Sequence, residues 1–533
     1  MHGEAVLASL RPMPITLRSY LSGRWQAGSG KAIPLFNPAT EEVVAEASTE
    51  KLDLQAAVTF AREKGGPALR ALSFAQRGEI LKALAKRIND SREELIGLGQ
   101  VNAGNTRSDA KFDIDGASAT LMFYAELGAK LGEQRTLLDG EGAPIGRSAR
   151  LYGQHVLVPR QGVAIHINAF NFPAWGTAEK LAVSLLCGVP AISKPATATA
   201  WMAHRIAEVW VESGALPEGA FSMLCGSVGG LLSHLRGQDV VAFTGSGETA
   251  QRLRRDETLC AYNIPLNVEA DSLNAAVLGP DAQTGSDTLN LFLTDVAKEM
   301  IQKTGQKCTA IRRIFAPLER LDEVREMLLE RLADVRVGNP TEEKTTMGPL
   351  ATADQLRDVR GGIDKLAAKS ELALGGSKPV QALGAAEGKG YFVSPTLLVQ
   401  KQPQASDLAN QLEVFGPVAT LMPYRDSAQA VALIAAGGGG LVSSVYSDDR
   451  SFVRDAIQGI APFHGRLTVA GEKLAGQTVP PGTVLPQLLH GGPGRAGGGQ
   501  ELGGMRGMQL YLQRVALQGE RALIEQLFGS PRA

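Results

Sequence analysis

Strand-like and helix-like stretches alternate through this chain, which predicts an α/β protein built on a doubly wound parallel sheet. Three observations carry that expectation. Short apolar runs recur at Val163–Ile167, Ala191–Ser193, Phe221–Cys225 and Val240–Phe243. Helical stretches separate them at Pro173–Cys187, Thr197–Glu212 and Val228–Leu235, and a further one runs through Gln251–Leu253. A second alternating stretch extends from Asp287 to Ala470 and reads as a second α/β lobe. In such sheets, ligands bind beyond the carboxyl ends of the strands.

Ahead of the first run, Phe74 to Gly104 reads as one or two amphipathic helices. Ile80, Leu81, Leu84 and Ile88 keep helical spacing, with Lys82, Lys86 and Arg87 on the other face. In the second lobe, helices at Leu289–Gln302 and Leu321–Val335 flank strands at Arg312–Ala316, Tyr391–Val399 and Ala419–Pro423. Gly437–Gly440 reads as a flexible turn and Pro480–Gly504 as a loop rich in Gly and Pro. Met508–Gln518 closes the chain as a strand with no obvious partner in either lobe.

The chain has 533 residues, enough for two or three domains. Its 54 basic and 55 acidic side chains give no electrostatic case for nucleic acid or an anionic membrane. No apolar run reaches the length of a membrane span. At the start, acidic Glu4 precedes the short apolar patch Ala5–Leu10, unlike a signal peptide, and Met13 offers an alternative start after a short disordered extension. The four cysteines, Cys187, Cys225, Cys260 and Cys308, form no CxxC pair, which suits a reduced, cytoplasmic protein. The 7 histidines form no clustered ligand motif, so no metal site is expected.

Cys308 stands in Lys303-Thr304-Gly305-Gln306-Lys307-Cys308-Thr309-Ala310, a Gly-containing turn between a helical stretch and a strand-like run. Upstream, Glu269 ends the apolar run Leu266-Asn267-Val268-Glu269. A thiol nucleophile and a carboxylate base together suffice to form and hydrolyse a thioester. Read alone, Cys308 is as well explained as a small buried hydrophobe. The loop Asn168-Ala169-Phe170-Asn171-Phe172-Pro173 follows a strand and opens a helix, so Asn171 can donate to an oxyanion; an Asn-Pro turn is the plain alternative. Gly245-Ser246-Gly247, after Thr244, is either a pyrophosphate seat or an ordinary Gly-Ser turn, and it is not GxGxxG. Lys194-Pro195-Ala196-Thr197 places a lysine near a ribose or phosphate, with Thr197 as a helix cap, or else leaves the lysine solvated. Glu413-Val414-Phe415-Gly416-Pro417-Val418 offers Glu413 to a ribose diol and Phe415 to a flat ring, or is a loop entering a strand.

These elements, in this order, resemble the aldehyde dehydrogenase superfamily across nearly the whole chain. The resemblance implies a Rossmann-type cofactor lobe (residues 1–141 and 160–282), an α/β catalytic lobe (283–478) and a small β oligomerisation element (142–159 and 479–533). It implies Cys308 as nucleophile, Glu269 as base and Asn171 as oxyanion donor. It further implies cofactor contacts from Asn168, Ala169 and Phe170, from Lys194, Pro195, Ala196 and Thr197, from Gly226, Thr244, Gly245, Ser246 and Ala270, and from Glu413 and Phe415. Lys180 and Glu501 are candidates for a proton relay; a solvated helix lysine and a loop carboxylate are the alternatives. An unperturbed thiol titrates near pH 8.5, so the site is expected to favour the thiolate.

Three segments, the Asn168–Pro173 loop, Ala191–Thr199 and His490–Gly499, resemble one branch of the superfamily, and the resemblance implies oxidation of a CoA-linked semialdehyde in aerobic phenylacetate or benzoate degradation. The fused hydratase of the phenylacetate enzyme has no counterpart before Ala533, so a stand-alone dehydrogenase acting on 3,4-dehydroadipyl-CoA semialdehyde is expected. Two departures fall on the cofactor side. Ala270-Asp271-Ser272 replaces the usual Leu-Gly-Gly after the base, and Thr197 stands where NAD-preferring members often carry Glu. The second points to NADP, with NAD possible. The expected partners are the aldehyde and a second copy of the chain, as a homodimer or, second, a tetramer. An acylating dehydrogenase, a cofactor-free thiol hydrolase and a non-catalytic binding protein are the rival readings.

Overall fold

The computed structural model describes residues 14–477 and 479–528, so the expectations about Met13 and the segment before it lie outside the described residues. Two seven-stranded sheets organise the chain. The first runs Leu266–Glu269, Val240–Thr244, Ala164–Ile167, Ala191–Lys194, Phe221–Met223, Ser19–Leu21 and Arg24–Gln26. Its first five strands are parallel and the last two antiparallel. The second runs Glu371–Leu374, Thr396–Val399, Val418–Tyr424, Arg313–Pro317, Ala275–Leu278, Gly440–Tyr446 and His464–Ala470, and is parallel except at its first strand.

Parallel strands are covered on both faces, which is why their sequences read as apolar runs. In the first sheet, side chains alternate between two cores. Ala164, Ala191 and Val240 join Leu181, Leu185 and Trp210 on one face. Ile165, Ile192 and Val241 join Leu253 and Leu259 on the other. The helix Trp175–Leu186 is buried along its length, and the 25-residue helix Arg107–Leu131 packs on it. Asp113 of that long helix accepts hydrogen bonds from Trp175 N (2.8 Å) and Ala174 N (3.3 Å), fixing where the helix carrying Lys180 begins.

The doubly wound reading holds, with local corrections. Phe74–Gly104 forms two helices, Phe74–Asp90 and Arg92–Ala103. The helix expected at Val228–Leu235 is a single 3-10 turn, Leu231–His234. The strand expected from Tyr391 starts only at Thr396, after Pro395, which has no N–H to give a ladder. Gly437–Gly440 is not simply a turn, because Gly440 already belongs to the strand Gly440–Tyr446. The closing segment is helical through Leu510 and becomes a strand at Leu512–Glu520. That strand does have a partner within the chain. It pairs antiparallel with Leu151–Pro159, from Leu512 opposite Pro159 to Glu520 opposite Leu151. Its outer edge is the open edge of this small sheet. No helix among the described residues is long and apolar enough to cross a membrane.

Candidate active site

Parallel register brings the first-sheet residues together. Thr244 lies opposite Glu269, and Ile167 opposite both Phe243 and Lys194. Glu269, Thr244, the Asn168–Pro173 loop and Lys194 therefore emerge at the same carboxyl edge. The second lobe supplies the thiol through a tightly wound turn. Lys303, Thr304 and Gly305 all have positive φ (53°, 57° and 65°) just before Cys308. Two non-glycine residues in this region are strained, so the turn needs bracing. Lys307 Nζ binds buried Glu299 Oε2 (2.8 Å) and half-buried Gln302 Oε1 (2.7 Å). Lys303 Nζ lies 4.5 Å from the centre of the Phe172 ring. Asn274 Nδ2 donates to the carbonyls of Cys308 and Ala310, each at 2.8 Å. A Cβ on Gly305 would come within 2.2 Å of Gly416 O, so only glycine lets this turn meet the Glu413–Val418 loop.

Cys308 lies where two cavities meet. One is a cleft of about 650 Å³ and the other a narrower inner pocket; Ala169, Asn171, Thr244 and Glu269 line both. Phe112, Phe172, Trp175 and Val484 line the inner pocket. The cleft takes in Asn168, Phe170, Lys194, Ala196, Thr197, Gly245, Ser246, Ala270, Glu413 and Phe415. Pro195 and Gly226 are not on its wall; Gly226 acts from behind, its carbonyl accepting from Thr197 Oγ1 at 3.0 Å. That bond corrects the helix-cap expectation: the Thr197 hydroxyl proton is already given to Gly226, and Thr197 makes no helix-cap bond. Lys194 faces the cleft, and burial holds it below the ordinary lysine range.

The residues of the cleft fit a nicotinamide dinucleotide. Its volume lies in the range of small-molecule sites. Two buried acceptors on its wall, Asn168 Oδ1 and Glu413 Oε1, have no hydrogen-bond donor within the protein. The other Glu413 oxygen accepts from Ser272 N at 2.9 Å, and Arg312 lies 3.6 Å from the first. Burial pushes Glu413 up to about 7 against the pull of Arg312. The phosphate seat carries a feature that sequence reasoning missed. Asp271 accepts from Gly247 N (2.9 Å) at the start of the helix Gly247–Arg254, so a carboxylate already holds one donor there.

The inner site is a chain of buried charges. Lys180 Nζ lies 3.1 Å from Glu179 Oε1 and 3.1 Å from Glu501 Oε2, and it donates to Thr244 Oγ1 at 2.8 Å. Thr244 Oγ1 in turn donates to Glu269 Oε2 at 3.5 Å. Lys180 is thus no solvated helix lysine and Glu501 no free loop carboxylate. Burial alone would lower Lys180, but Glu501, Glu179 and Glu269 outweigh it and hold it above the ordinary range. Burial and the neighbouring acid Glu501 raise Glu179 to about 7 despite Lys180.

His490 was missed as a site residue. Its Nε2 lies 3.2 Å from Glu269 Oε2 and 3.8 Å from Cys308 Sγ. The only sequence signal was its place in the Gly-rich His490–Gly499 segment. Those glycines have a packing reason, since a Cβ on Gly497 or Gly499 would come within 2.5 Å of Val268 O. Gly499 N donates to that same carbonyl at 3.0 Å, so the segment lies flat on the strand that ends in Glu269. Burial would raise Glu269, but His490 and Lys180 together lower it. Two influences oppose the expected thiolate. Burial and the adjacent Glu269 carboxylate push the Cys308 thiol well above its ordinary value.

Comparison with known proteins places the chain in a family. The model of the aldehyde dehydrogenase family matches residues 25–513. The 3,4-dehydroadipyl-CoA semialdehyde dehydrogenase of Aromatoleum evansii is 42% identical over 477 residues, covering 90% of this chain and 93% of that protein. Protein MaoC of Klebsiella aerogenes is 44% identical over 179 residues, 33% of this chain and 52% of that protein. Among solved structures, apo betaine aldehyde dehydrogenase from Staphylococcus aureus superposes with a TM-score of 0.82 over 97% of each chain at 22% identity. An aldehyde dehydrogenase from Bacillus cereus, solved with NAD+, gives 0.81 at 22% identity, covering 95% of this chain and 97% of that one. With its family model matched over most of its length and a relative of this identity spanning nine-tenths of it, this chain belongs to the aldehyde dehydrogenase family.

Proposed function

We propose that this chain oxidises a CoA-linked semialdehyde to its acid, with 3,4-dehydroadipyl-CoA semialdehyde as substrate, in aerobic benzoate degradation in the cytoplasm. The observation that carries the reading is the Cys308 thiol at the junction of a dinucleotide-sized cleft and an aromatic pocket. The named substrate rests on the 42% identity to the Aromatoleum evansii enzyme.

In this reading Cys308 Sγ adds to the aldehyde carbon, and the Asn171 amide and the Cys308 N–H receive the oxyanion. A nicotinamide in the cleft supplies the hydride acceptor, held by Asn168, Lys194, Ser246, Glu413 and Phe415. Glu269 takes a proton from the water that cleaves the Cys308 thioester. Thr244, Lys180 and Glu501 extend from Glu269 as a path for that proton. A carboxylate base beside the thioester favours hydrolysis over transfer to CoA, so acid should be released without added CoA. A steady-state panel of simple aldehydes, free-acid semialdehydes and CoA-linked semialdehydes, each with NAD and NADP, tests the whole. The CoA-linked members should give the highest kcat/KM. Equal values across the panel would remove the CoA-linked substrate, and no reduced cofactor with any aldehyde would remove the activity.

The cofactor preference is NADP at least as well as NAD. A glutamate at position 197 would face the 2′-phosphate; two like charges about 4 Å apart repel by roughly 4 kcal/mol at an effective dielectric near 20. Thr197 removes that repulsion, and Lys194 supplies positive charge on the same wall. Thr197→Glu should lower kcat/KM for NADP far more than for NAD. Equal losses, or strict NAD preference in the unaltered enzyme, would refute the preference.

The lobes and the oligomerisation element divide near the boundaries read from the sequence, with Ala275–Leu278, a strand of the second sheet, assigned to the catalytic lobe rather than the cofactor lobe, and the assembly is a homodimer. The open outer edge of Leu512–Glu520 supports this, because an exposed strand edge is a ready pairing surface. Light scattering at micromolar concentration should give twice the chain mass; a monomer would overturn the assignment.

A further inference from the structure

His490 belongs to none of the roles assigned above, yet it touches two groups that carry them. It sits on the short strand Leu489–Gly491, which pairs antiparallel with Gln500–Leu502 so that His490 lies opposite Glu501. Directly opposed residues point to the same face of a two-stranded ribbon. The ribbon thus presents both toward the inner site, Glu501 to Lys180 and His490 to Glu269 and Cys308. The imidazole is buried, and its Nε2 contacts the carboxylate and the sulfur together.

That placement meets a difficulty in the site. Burial first, and then the contact of two anions when Cys308 ionises beside Glu269, hold the thiol high. Lys180 does not relieve this, since Glu179 and Glu501 already neutralise it. The other charged groups acting on His490 are Glu179, from the helix Trp175–Leu186, and Arg466, from the strand His464–Ala470. Arg466 is turned to the carbonyls of Thr483 (2.6 Å) and Pro481 (2.7 Å).

We propose that His490 is the proton-carrying partner of Cys308, converting thiol and imidazole into a thiolate–imidazolium pair that Glu269 holds in place. The step moves one proton. The S–H bond breaks, an Nε2–H bond forms, and the net charge of Cys308, His490 and Glu269 stays at one negative. The imidazolium then lies against both anions and screens each from the other. Proximity of a thiol to an imidazole is a general route to a reactive thiolate. The proposal rests on Cys308 being the nucleophile, as in the function proposed above.

Alkylation of the full-length enzyme by iodoacetamide, without aldehyde or cofactor, tests it. The rate is read on the Cys308 peptide by mass spectrometry across pH, because Cys260 is exposed and also reacts. The unaltered enzyme should show an inflection in the neutral, imidazole range. His490→Phe and His490→Gln should move it to alkaline pH by at least one unit, a loss of about tenfold or more in rate near pH 7. Glu269→Gln should move it the other way or leave it in place, because the carboxylate beside the sulfur is gone. Cofactor binding by fluorescence titration identifies which His490 variant is folded, and either one suffices. An alkylation profile unchanged in a folded His490 variant overturns the proposal, and so does an unaltered enzyme with no inflection below the ordinary thiol range. Since no aldehyde is used, either failure leaves the aldehyde oxidation reading intact, and that reading falls only on the substrate panel.

Discussion

Cys308→Ala is expected to abolish aldehyde oxidation and to leave no acyl adduct on the protein. The alanine removes the only thiol that lines both cavities, and no second cysteine can replace it. Cys187 and Cys225 are buried elsewhere in the core, and Cys260 is exposed on another helix. Loss of a catalytic nucleophile costs about 10,000-fold or more in turnover. Folding should survive, because the turn is held by bonds that do not use the sulfur: those from Asn274 to the Cys308 and Ala310 carbonyls and those of Lys307 to Glu299 and Gln302. Intact-mass analysis after mixing with aldehyde and cofactor should show the adduct on the unaltered enzyme alone. An adduct on the alanine variant would remove Cys308 as nucleophile.

Glu269→Gln should separate the two halves of the reaction. Oxidation needs the sulfur and the oxyanion donors, whereas hydrolysis needs an activated water. The variant is expected to give at most a burst of reduced cofactor and then stall with thioester on Cys308. Steady-state turnover should fall by roughly 100- to 10,000-fold, the usual contribution of a positioned base. His490 and Lys180 lower Glu269 below the ordinary carboxylate range, so it is ionised at neutral pH and its protonation limits the enzyme only on the acid side. Glutamine keeps the shape and loses the charge, which also leaves His490 without its counter-ion. A burst slower than in the unaltered enzyme would place Glu269 in the first half-reaction as well. Unchanged turnover would sink its assignment as base.

The relay offers a contrast in how much a sequence can carry. Cys308 and Glu269 were legible because each ends a recognisable local pattern, a Gly-containing turn and an apolar strand. The parallel sheet was legible for the same reason, since buried strands and their covering helices imprint distinct periodicities. The strands Ala275–Leu278 and His464–Ala470 and the helix Arg107–Leu131 escaped. Ala275–Leu278 is an apolar run of only four residues, too short to carry a period, and the other two segments mix small and polar residues whose burial is set by neighbours far along the chain.

The sequence by itself determined the fold class, the family, and the identity of the thiol, the carboxylate and many of the residues along the cleft. All of these lie within contiguous motifs, and contiguous motifs are written in local order. Only the tertiary structure decided how the charges are paired. Lys180 meets Glu501, Asp271 reaches Gly247, the Thr197 hydroxyl turns to Gly226, and His490 comes to rest between Glu269 and Cys308. The last of these joins residues 182 apart in sequence. Such contacts leave no periodic trace, because each follows from strand register and from glycines that let one backbone lie against another. The ionisation of the thiol depends on them, since a buried charge is governed by the few groups that touch it.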